Sequence, residues 1–322
     1  MHILEQLQNL SPFIGHTPLM ALKGRQCRFF AKLEYNNFSG SSKDRAAYSI
    51  LRGAVLAGKV NRDTTIVASS SGNLAIALGS LCKMLKIKFI PIIDPNINRA
   101  YEGLLNLLSY KVVKVTERDV TGGFLLTRIA MADDLCASIE NSFCADQYTD
   151  PNNYRGYFPL ADELIDSLGT VDHIFIPVSS GGAITGISSR IREKRVNTRI
   201  IGVDVEGSVI FGHPPERRYV SGIGSSITPP ILGNADIDEV ILVKQTEIIM
   251  GCHSLLEEQV LFCGASSGAV YFAAKAYFQN HIHAVDATAV LLFPDRGGAY
   301  LDTIYSKEWA EKLSKQTINA KL

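Results

Sequence analysis

Two hydrophobic patterns alternate along the chain. Short runs that are apolar almost throughout, such as "IKFIPII" (87–93), "RIIGVDV" (199–205) and "TAVLLF" (288–293), are separated by longer stretches whose apolar positions recur three and four residues apart. The first pattern predicts strands at 28–35, 64–69, 87–93, 111–115, 173–178, 199–205, 239–243 and 288–293. The second predicts helices at 43–58, 73–86, 97–108, 122–140, 153–168, 182–194, 246–258 and 267–279. Strands that lack polar alternation are covered by helices on both faces, so the fold class is α/β with largely parallel sheets. Turn residues in "DQYTDPNN" (146–153) separate two such series, which predicts two open twisted α/β domains with a cleft between them. The N-terminal arm is expected to pack on the second domain.

In open parallel sheets ligands collect beyond the carboxyl ends of the strands. Glycine and serine cluster there: "SSGNLAIAL" follows the strand at 64–69, "SSGGAITG" the strand at 173–178, and "PDRGGAYLD" the strand at 288–293. A fourth loop, "FCGASSGAV" (262–270), opens a helix in the same way. Backbone amides of a Gly-rich helix start suit an anion, so residues 179–186 are a candidate phosphate cradle. They are equally a tight turn with capping serines, and Asn73 is equally an N-cap. Neither the nucleotide P-loop pattern nor the dinucleotide Gly pattern is present.

Composition narrows the choice of partner. The 322 residues are 46% hydrophobic and 20% charged, enough for a large core and two domains. Lys plus Arg and Asp plus Glu are 32 each, so no field of one sign collects nucleic acid or a membrane surface. Small molecules or copies of the chain remain as partners. Six scattered cysteines without a Cys-x-x-Cys pair suggest neither a disulfide framework nor zinc, and a reducing cytoplasmic setting is expected. The N-terminal "MHILEQLQNLSPFIG" lacks a signal pattern, and no metal is expected at His16, His213, His253, His281 or His283. Trp309 is expected to anchor packing near the C-terminus.

The blocks "IGHTPLM" (14–20), "KLEYNNFSGSSKDR" (32–45), "SSGNLAIAL" (70–78), "SSGGAITG" (179–186), "GASSGA" (264–269) and "FPDRGGAYL" (293–301) span most of the chain. In that order they resemble the fold-type II pyridoxal-phosphate enzymes with the tryptophan synthase β-like fold, and within them the cysteine synthase and cystathionine β-synthase group. The resemblance implies the cofactor pyridoxal 5'-phosphate, held by Lys43 through a Schiff base, by Asn73 at the 3'-oxygen, by Ser179, Ser180, Gly181, Gly182 and Ala183 at the phosphate, and by Ser266 at the pyridine nitrogen. Ser70, Ser71, Gly72 and Gln147 would hold the substrate carboxylate. It also implies a mobile smaller domain at 45–146, a larger cofactor domain from 1–44 plus 147–322, and a homodimer. Lys43, freed by an incoming amino acid, would then remove the α-proton. A serine rather than a carboxylate at the pyridine nitrogen weakens the electron sink and favours β-elimination to an α-aminoacrylate that a second substrate attacks.

Longer strings, "KLEY", "SGNL", "GGFLLTRIA" (122–130), "DQY" (146–148), "GSVIFG" (207–212) and "PDRGGAYLDTIY" (294–305), resemble synthases that join O-phospho-L-serine to the amine of L-glutamate in making 2,3-diaminopropionate for siderophores. Such substrates need cations. Arg128 is the first candidate, since a guanidinium suits phosphate or carboxylate, and Arg296 the second unless it makes a structural ion pair. Tyr148 either gates the site or packs at the domain junction. The chain departs from the wider group at Asn37, Leu74, Ala183 and "PLADEL" (159–164), where proline, two threonines and a "T-G-P-E-I" string are usual. Sulfide and homocysteine remain rival nucleophiles, and an inactive binding homologue remains the rival of a different class.

Overall fold

The computed structural model describes residues 3–23, 27–280 and 286–319. The chain opens with α1 (Ile3–Leu10), β1 (Leu19–Ala21), β2 (Arg28–Leu33), α2 (Lys43–Leu56), β3 (Thr65–Ser69), α3 (Asn73–Leu85), β4 (Lys88–Ile93) and α4 (Arg99–Leu108). It continues with β5 (Val113–Lys114), α5 (Leu125–Ser138), β6 (Ser142–Cys144), α6 (Pro151–Arg155), α7 (Phe158–Leu168), β7 (His173–Pro177), α8 (Gly182–Glu193) and β8 (Arg199–Val205). The last elements are β9 (Glu239–Val243), α9 (Gln245–Gln259), α10 (Ala265–Asn280), β10 (Thr288–Phe293) and α11 (Lys307–Asn319). Two compact units result: Met1–Gly15 with Asn37–Tyr157, and His16–Asn36 with Phe158–Leu322.

The first unit carries a parallel four-stranded sheet in the order β5-β4-β3-β6. Val67, Ile90 and Ile92 project from its central strands against Phe124 and Ala132. The helix α3 is apolar nearly all round and buried along most of its length, as a helix must be when packed between other elements. It ends at Lys86, whose left-handed backbone (φ 59°) turns the chain into β4.

In the second unit the sheet order is β1-β2-β10-β7-β8-β9, parallel except where β1 pairs with β2. Every residue of the central β10 is buried, whereas the edge strand β9 is half-buried, which is the outcome of helices covering both faces at the middle of a parallel sheet. Phe175 and Phe278 anchor its aromatic core: Phe29 meets Phe278 edge-on at 5.5 Å and Tyr277 meets Phe175 at 5.6 Å. Trp309 packs against the same core.

All eight expected strands form, though the one at 111–115 shrinks to two paired residues. The structure adds α1, β1, β6 and α11. The strands β1 and β6 have three residues each, too few for an alternation to register. The arm at residues 3–15 groups with the first unit, where the expectation had it with the second. It belongs to the first, because Ile3, Leu7 and Leu10 form one apolar face on α1 that is buried there, with Gln6 accepting from Arg62 at 2.9 Å. The expected helix over 153–168 is two helices. At the break, a Cβ on Gly156 would lie 2.5 Å from the carbonyl oxygen of Arg45, so only glycine lets α6 approach α2 this closely, and Pro159 then sits in the first turn of α7. The compact units also place residues 37–44 and 147–157 with the first unit, so Lys43 and Gln147 lie in it together with 45–146. Among the described residues no helix is long and apolar enough to cross a membrane.

Candidate active site

Lys43 is the first residue of α2, and its neighbours decide between a solvated and a held lysine. Ser41, Ser42, Asp44 and Arg45 are all buried, and Lys43 itself is half-buried. The Asp44 carboxylate accepts the Ser39 amide at 2.8 Å, closing the preceding loop, and Ser41 Oγ accepts the Lys43 amide at 3.3 Å. The first turn of α2 is therefore not the exposed turn of a solvated lysine.

The loop after β3 gathers most of the expected substrate residues within the first unit. Ser70 is buried and anchored by its amide to the Ile92 carbonyl at 3.1 Å, and its hydroxyl accepts the Gly72 amide at 3.3 Å. Asn73 opens α3, and its side-chain carbonyl accepts the Tyr101 hydroxyl at 2.7 Å. Fixing the carbonyl in this way leaves the amide nitrogen as the group Asn73 can donate with. The Gln147 side-chain nitrogen donates to the Ser69 carbonyl at 3.3 Å and meets the Tyr148 hydroxyl at 3.4 Å, while Asn153 holds the Gln147 carbonyl at 2.5 Å. The guanidinium of Arg128, on α5, comes to the same loop. Its Nε is 3.0 Å from Asp94 Oδ2, an ion pair in which the N–H does not point along the contact, and its Nη1 donates to Ser71 Oγ at 3.4 Å. Asp94 is the residue that sequence reasoning missed. It follows β4 directly, at a strand end where ligands were expected, but carries no glycine or serine signal.

In the second unit the 179–183 loop follows β7. Ser179 donates its hydroxyl to the Gly224 carbonyl at 3.2 Å, so the side chain is committed to the fold. Gly181 caps α8 with φ 81°, a left-handed conformation that glycine adopts without strain. Among the described residues the amides of Gly182 and Ala183 make no hydrogen bond, so two donors at the start of a twelve-residue helix face outward with the positive end of its dipole. Ala183 contributes no hydroxyl, and the cradle is therefore a backbone one. Ser266 lies in the first turn of α10, 3% exposed, and its hydroxyl makes no hydrogen bond among the described residues. The nearby thiol of Cys263 is pushed up to about 12 by burial, with Asp295 adding to the effect, which keeps it an inert thiol.

The departures from the family pattern also find partners. Asn37 is buried and accepts the Gly15 amide at 2.7 Å, so it ties the arm to the loop before Lys43. Leu74 is 1% exposed and belongs to the core, offering a substrate nothing polar. Within "PLADEL", Asp162 takes Arg190 through two of its nitrogens (3.0 and 3.1 Å) and Glu163 pairs with Lys32 at 2.6 Å. Among the described residues Arg296 makes no ion pair; it stacks over the Tyr35 ring at 4.7 Å and donates to Asn36 at 3.3 Å. His253 Nε2 lies 3.0 Å from the Ile304 carbonyl, and His281 and His283 lie outside the described residues.

Within the second unit the outward amides suit a phosphate and the Ser266 hydroxyl suits a ring nitrogen; within the first, the oriented Asn73 amide suits a phenolic oxygen and the half-buried Lys43 an aldehyde, the four groups of a phosphorylated pyridine aldehyde. Comparison with known proteins agrees. The family model for "Pyridoxal-phosphate dependent enzyme" matches residues 10–295. Among solved structures, the O-acetylserine dependent cystathionine β-synthase from Helicobacter pylori superposes with a TM-score of 0.83 at 27% identity over 92% of this chain and 98% of that one. A hydrogen sulfide-producing enzyme from Fusobacterium nucleatum gives 0.83 at 23% identity, over 91% and 99% of the two chains. A mutant O-ureido-L-serine synthase bound to O-ureido-L-serine gives 0.82 at 22% identity, over 97% and 98%. The last two speak for the fold alone.

Proposed function

The chain belongs to the pyridoxal-phosphate dependent enzyme family, and we propose that it catalyses β-replacement on O-phospho-L-serine with the amine of L-glutamate as nucleophile. The products are N-(2-amino-2-carboxyethyl)-L-glutamate and phosphate, the activity of N-(2-amino-2-carboxyethyl)-L-glutamate synthases that begin 2,3-diaminopropionate formation for siderophores. One observation carries the choice: a guanidinium, Arg128, stands at the loop that would hold an amino acid's carboxylate, where a donor with a second anionic group can use it.

The roles follow from the geometry of each unit. The amides of Gly182 and Ala183 are assigned to the cofactor phosphate, with Gly181 shaping the turn and Ser179 and Ser180 closing it. Ser266 donates a neutral hydroxyl to the ring nitrogen, and Asn73 donates its amide to the 3'-oxygen. Lys43 would hold the cofactor covalently and, once released from it by the incoming amino acid, would take the substrate's α-proton at Nζ. The bound cofactor supplies the electron sink for departure of the β-substituent. The loop Ser70–Gly72 and Gln147 bind the α-carboxylate, with Tyr148 beside them to shield the site from water. Residues 45–146, the bulk of the first unit, are assigned as the mobile smaller domain, in a cytoplasmic homodimer acting on free amino acids. Hydrogen exchange that slows in 45–146 on donor binding, and the dimer mass in solution, test those assignments.

A second reading takes sulfide or homocysteine as nucleophile with O-acetylserine as donor; the Helicobacter pylori relative, an O-acetylserine dependent cystathionine β-synthase, supports that donor. Leu74, buried where those synthases have a threonine, weighs against it. Purified enzyme offered O-phospho-L-serine or O-acetyl-L-serine, each with glutamate, sulfide or homocysteine, separates the two. Glutamate-dependent phosphate release without response to sulfide supports the proposal; faster turnover with sulfide and O-acetylserine overturns it.

A further inference from the structure

Asp94 sits at the end of β4 with its side chain 8% exposed, and three of its contacts constrain one another. Its Oδ2 accepts the Ser71 hydroxyl at 2.8 Å and pairs with Arg128 Nε at 3.0 Å, and its Oδ1 accepts the Asn96 amide at 2.8 Å. The backbone amide of Asp94 donates in return to Ser71 Oγ at 3.0 Å, and Arg128 Nη1 approaches the same oxygen at 3.4 Å. A hydroxyl has one proton and two lone pairs. Both the Asp94 amide and the guanidinium are donors only, so they take the lone pairs of Ser71, and its single proton goes to the one acceptor among its described partners, Asp94. Ser71 therefore has no hydroxyl proton left for a substrate carboxylate. Ser70 differs, because its hydroxyl accepts from Gly72 and makes no donated hydrogen bond among the described residues.

We propose that Asp94 is a positioning residue that locks Ser71 and Arg128 into one unit, so that Arg128 reads a second anionic group on the substrate while Ser70, the loop amides and Gln147 take the α-carboxylate without the Ser71 hydroxyl. This rests on the assignment of Arg128 to a doubly anionic amino acid and removes the Ser71 hydroxyl from the substrate's direct contacts. A guanidinium on a flexible stem loses rotamer freedom when it binds an anion, and a buried carboxylate that holds it beforehand removes part of that cost. Asp94 acts on discrimination between substrates rather than on the chemical step.

The test uses the cofactor-loaded enzyme and two ligands that cannot lose a β-substituent. L-2-amino-4-phosphonobutyrate is O-phosphoserine with the ester oxygen replaced by CH2, and L-2-aminobutyrate lacks the phosphonate. Dissociation constants come from titration calorimetry, with melting temperature as the control for folding. Asp94→Asn and Ser71→Ala are each expected to weaken the phosphonate by about tenfold and leave aminobutyrate within about twofold, the size of effect seen when a buried charge-assisted contact is lost. The double variant is expected to be no worse than either single one, since both break one network. Should Asp94→Asn fail to fold, the Ser71→Ala comparison alone decides. Equal weakening of both ligands by Ser71→Ala, additive with Asp94→Asn, overturns the inference by making Ser71 a direct carboxylate ligand. An Arg128→Ala variant that keeps the wild-type preference for the phosphonate overturns the reading of Arg128 itself, and leaves Asp94 nothing to position. Loss of that preference in Arg128→Ala but not in the Asp94 and Ser71 variants overturns the role of Asp94 alone.

Discussion

The two units prepare for binding in opposite ways. The first does it with side chains: Ser70, Asn73, Arg128 and Gln147 are each held by a named neighbour, and a buried ion pair sits among them. The second does it with backbone, through two outward amides behind a left-handed glycine, together with the Ser266 hydroxyl on α10. A backbone cradle binds the same group whatever side chains surround it, which suits a cofactor. A side-chain cluster changes its preference with one substitution, which suits the part of the site that must choose among amino acids.

The sharpest way to break this contrast is to remove the one side chain whose chemistry no backbone can replace. Lys43→Ala is expected to lower turnover by about a thousandfold, in the range attributed to a positioned acid-base group, while melting within a few degrees of wild type. Next in size are two matched glycine substitutions. Gly181→Ala forces an L-residue to φ 81° although its Cβ would meet only Ile231 and Leu232 at ordinary contact distances of 3.5 and 3.6 Å. It is expected to cost roughly 1–2 kcal/mol of stability and to weaken cofactor binding, measured by denaturant titration and by cofactor fluorescence. Gly72→Ala, at φ −137° with no atom within 4 Å of the added Cβ, is expected to stay within about 0.5 kcal/mol of wild type. Equal losses at the two glycines would contradict the account of the cradle.

Smaller effects sharpen the comparison. Ser266→Ala removes one neutral hydrogen bond and is expected to lower cofactor affinity about fivefold, corresponding to about 1 kcal/mol. Tyr101→Phe leaves the Asn73 carbonyl without its 2.7 Å partner. It is expected to lower cofactor affinity by no more than about threefold, because the amide stays in place and only its orientation is freed. Both are read by titrating cofactor into the apo-protein.

How much of this could be seen in the chain beforehand follows the same division. Apolar runs marked every strand of four residues or more, and the glycines and serines that follow β3 and β7 marked both loops, because turn and cradle chemistry demands those residue types at contiguous positions. The network around Asp94 joins positions 71, 94 and 128 from three separate segments, so no local pattern announces it. Ser70 and Ser71 look alike as neighbours in the sequence; in the structure the direction of one proton separates them, since Ser71 donates to Asp94 and Ser70 accepts from Gly72. Helix α1 carried a legible stripe in Ile3, Leu7 and Leu10, yet what it packs against is a tertiary matter that the stripe does not encode.

The most direct measurement is reduction of the cofactor-loaded protein with borohydride, followed by proteolysis and peptide mapping. The account predicts one pyridoxyl label, on the peptide that contains Lys43, and none in a Lys43→Ala variant. A label on any other lysine, or wild-type protein that takes up pyridoxal phosphate and yields no labelled peptide, contradicts it.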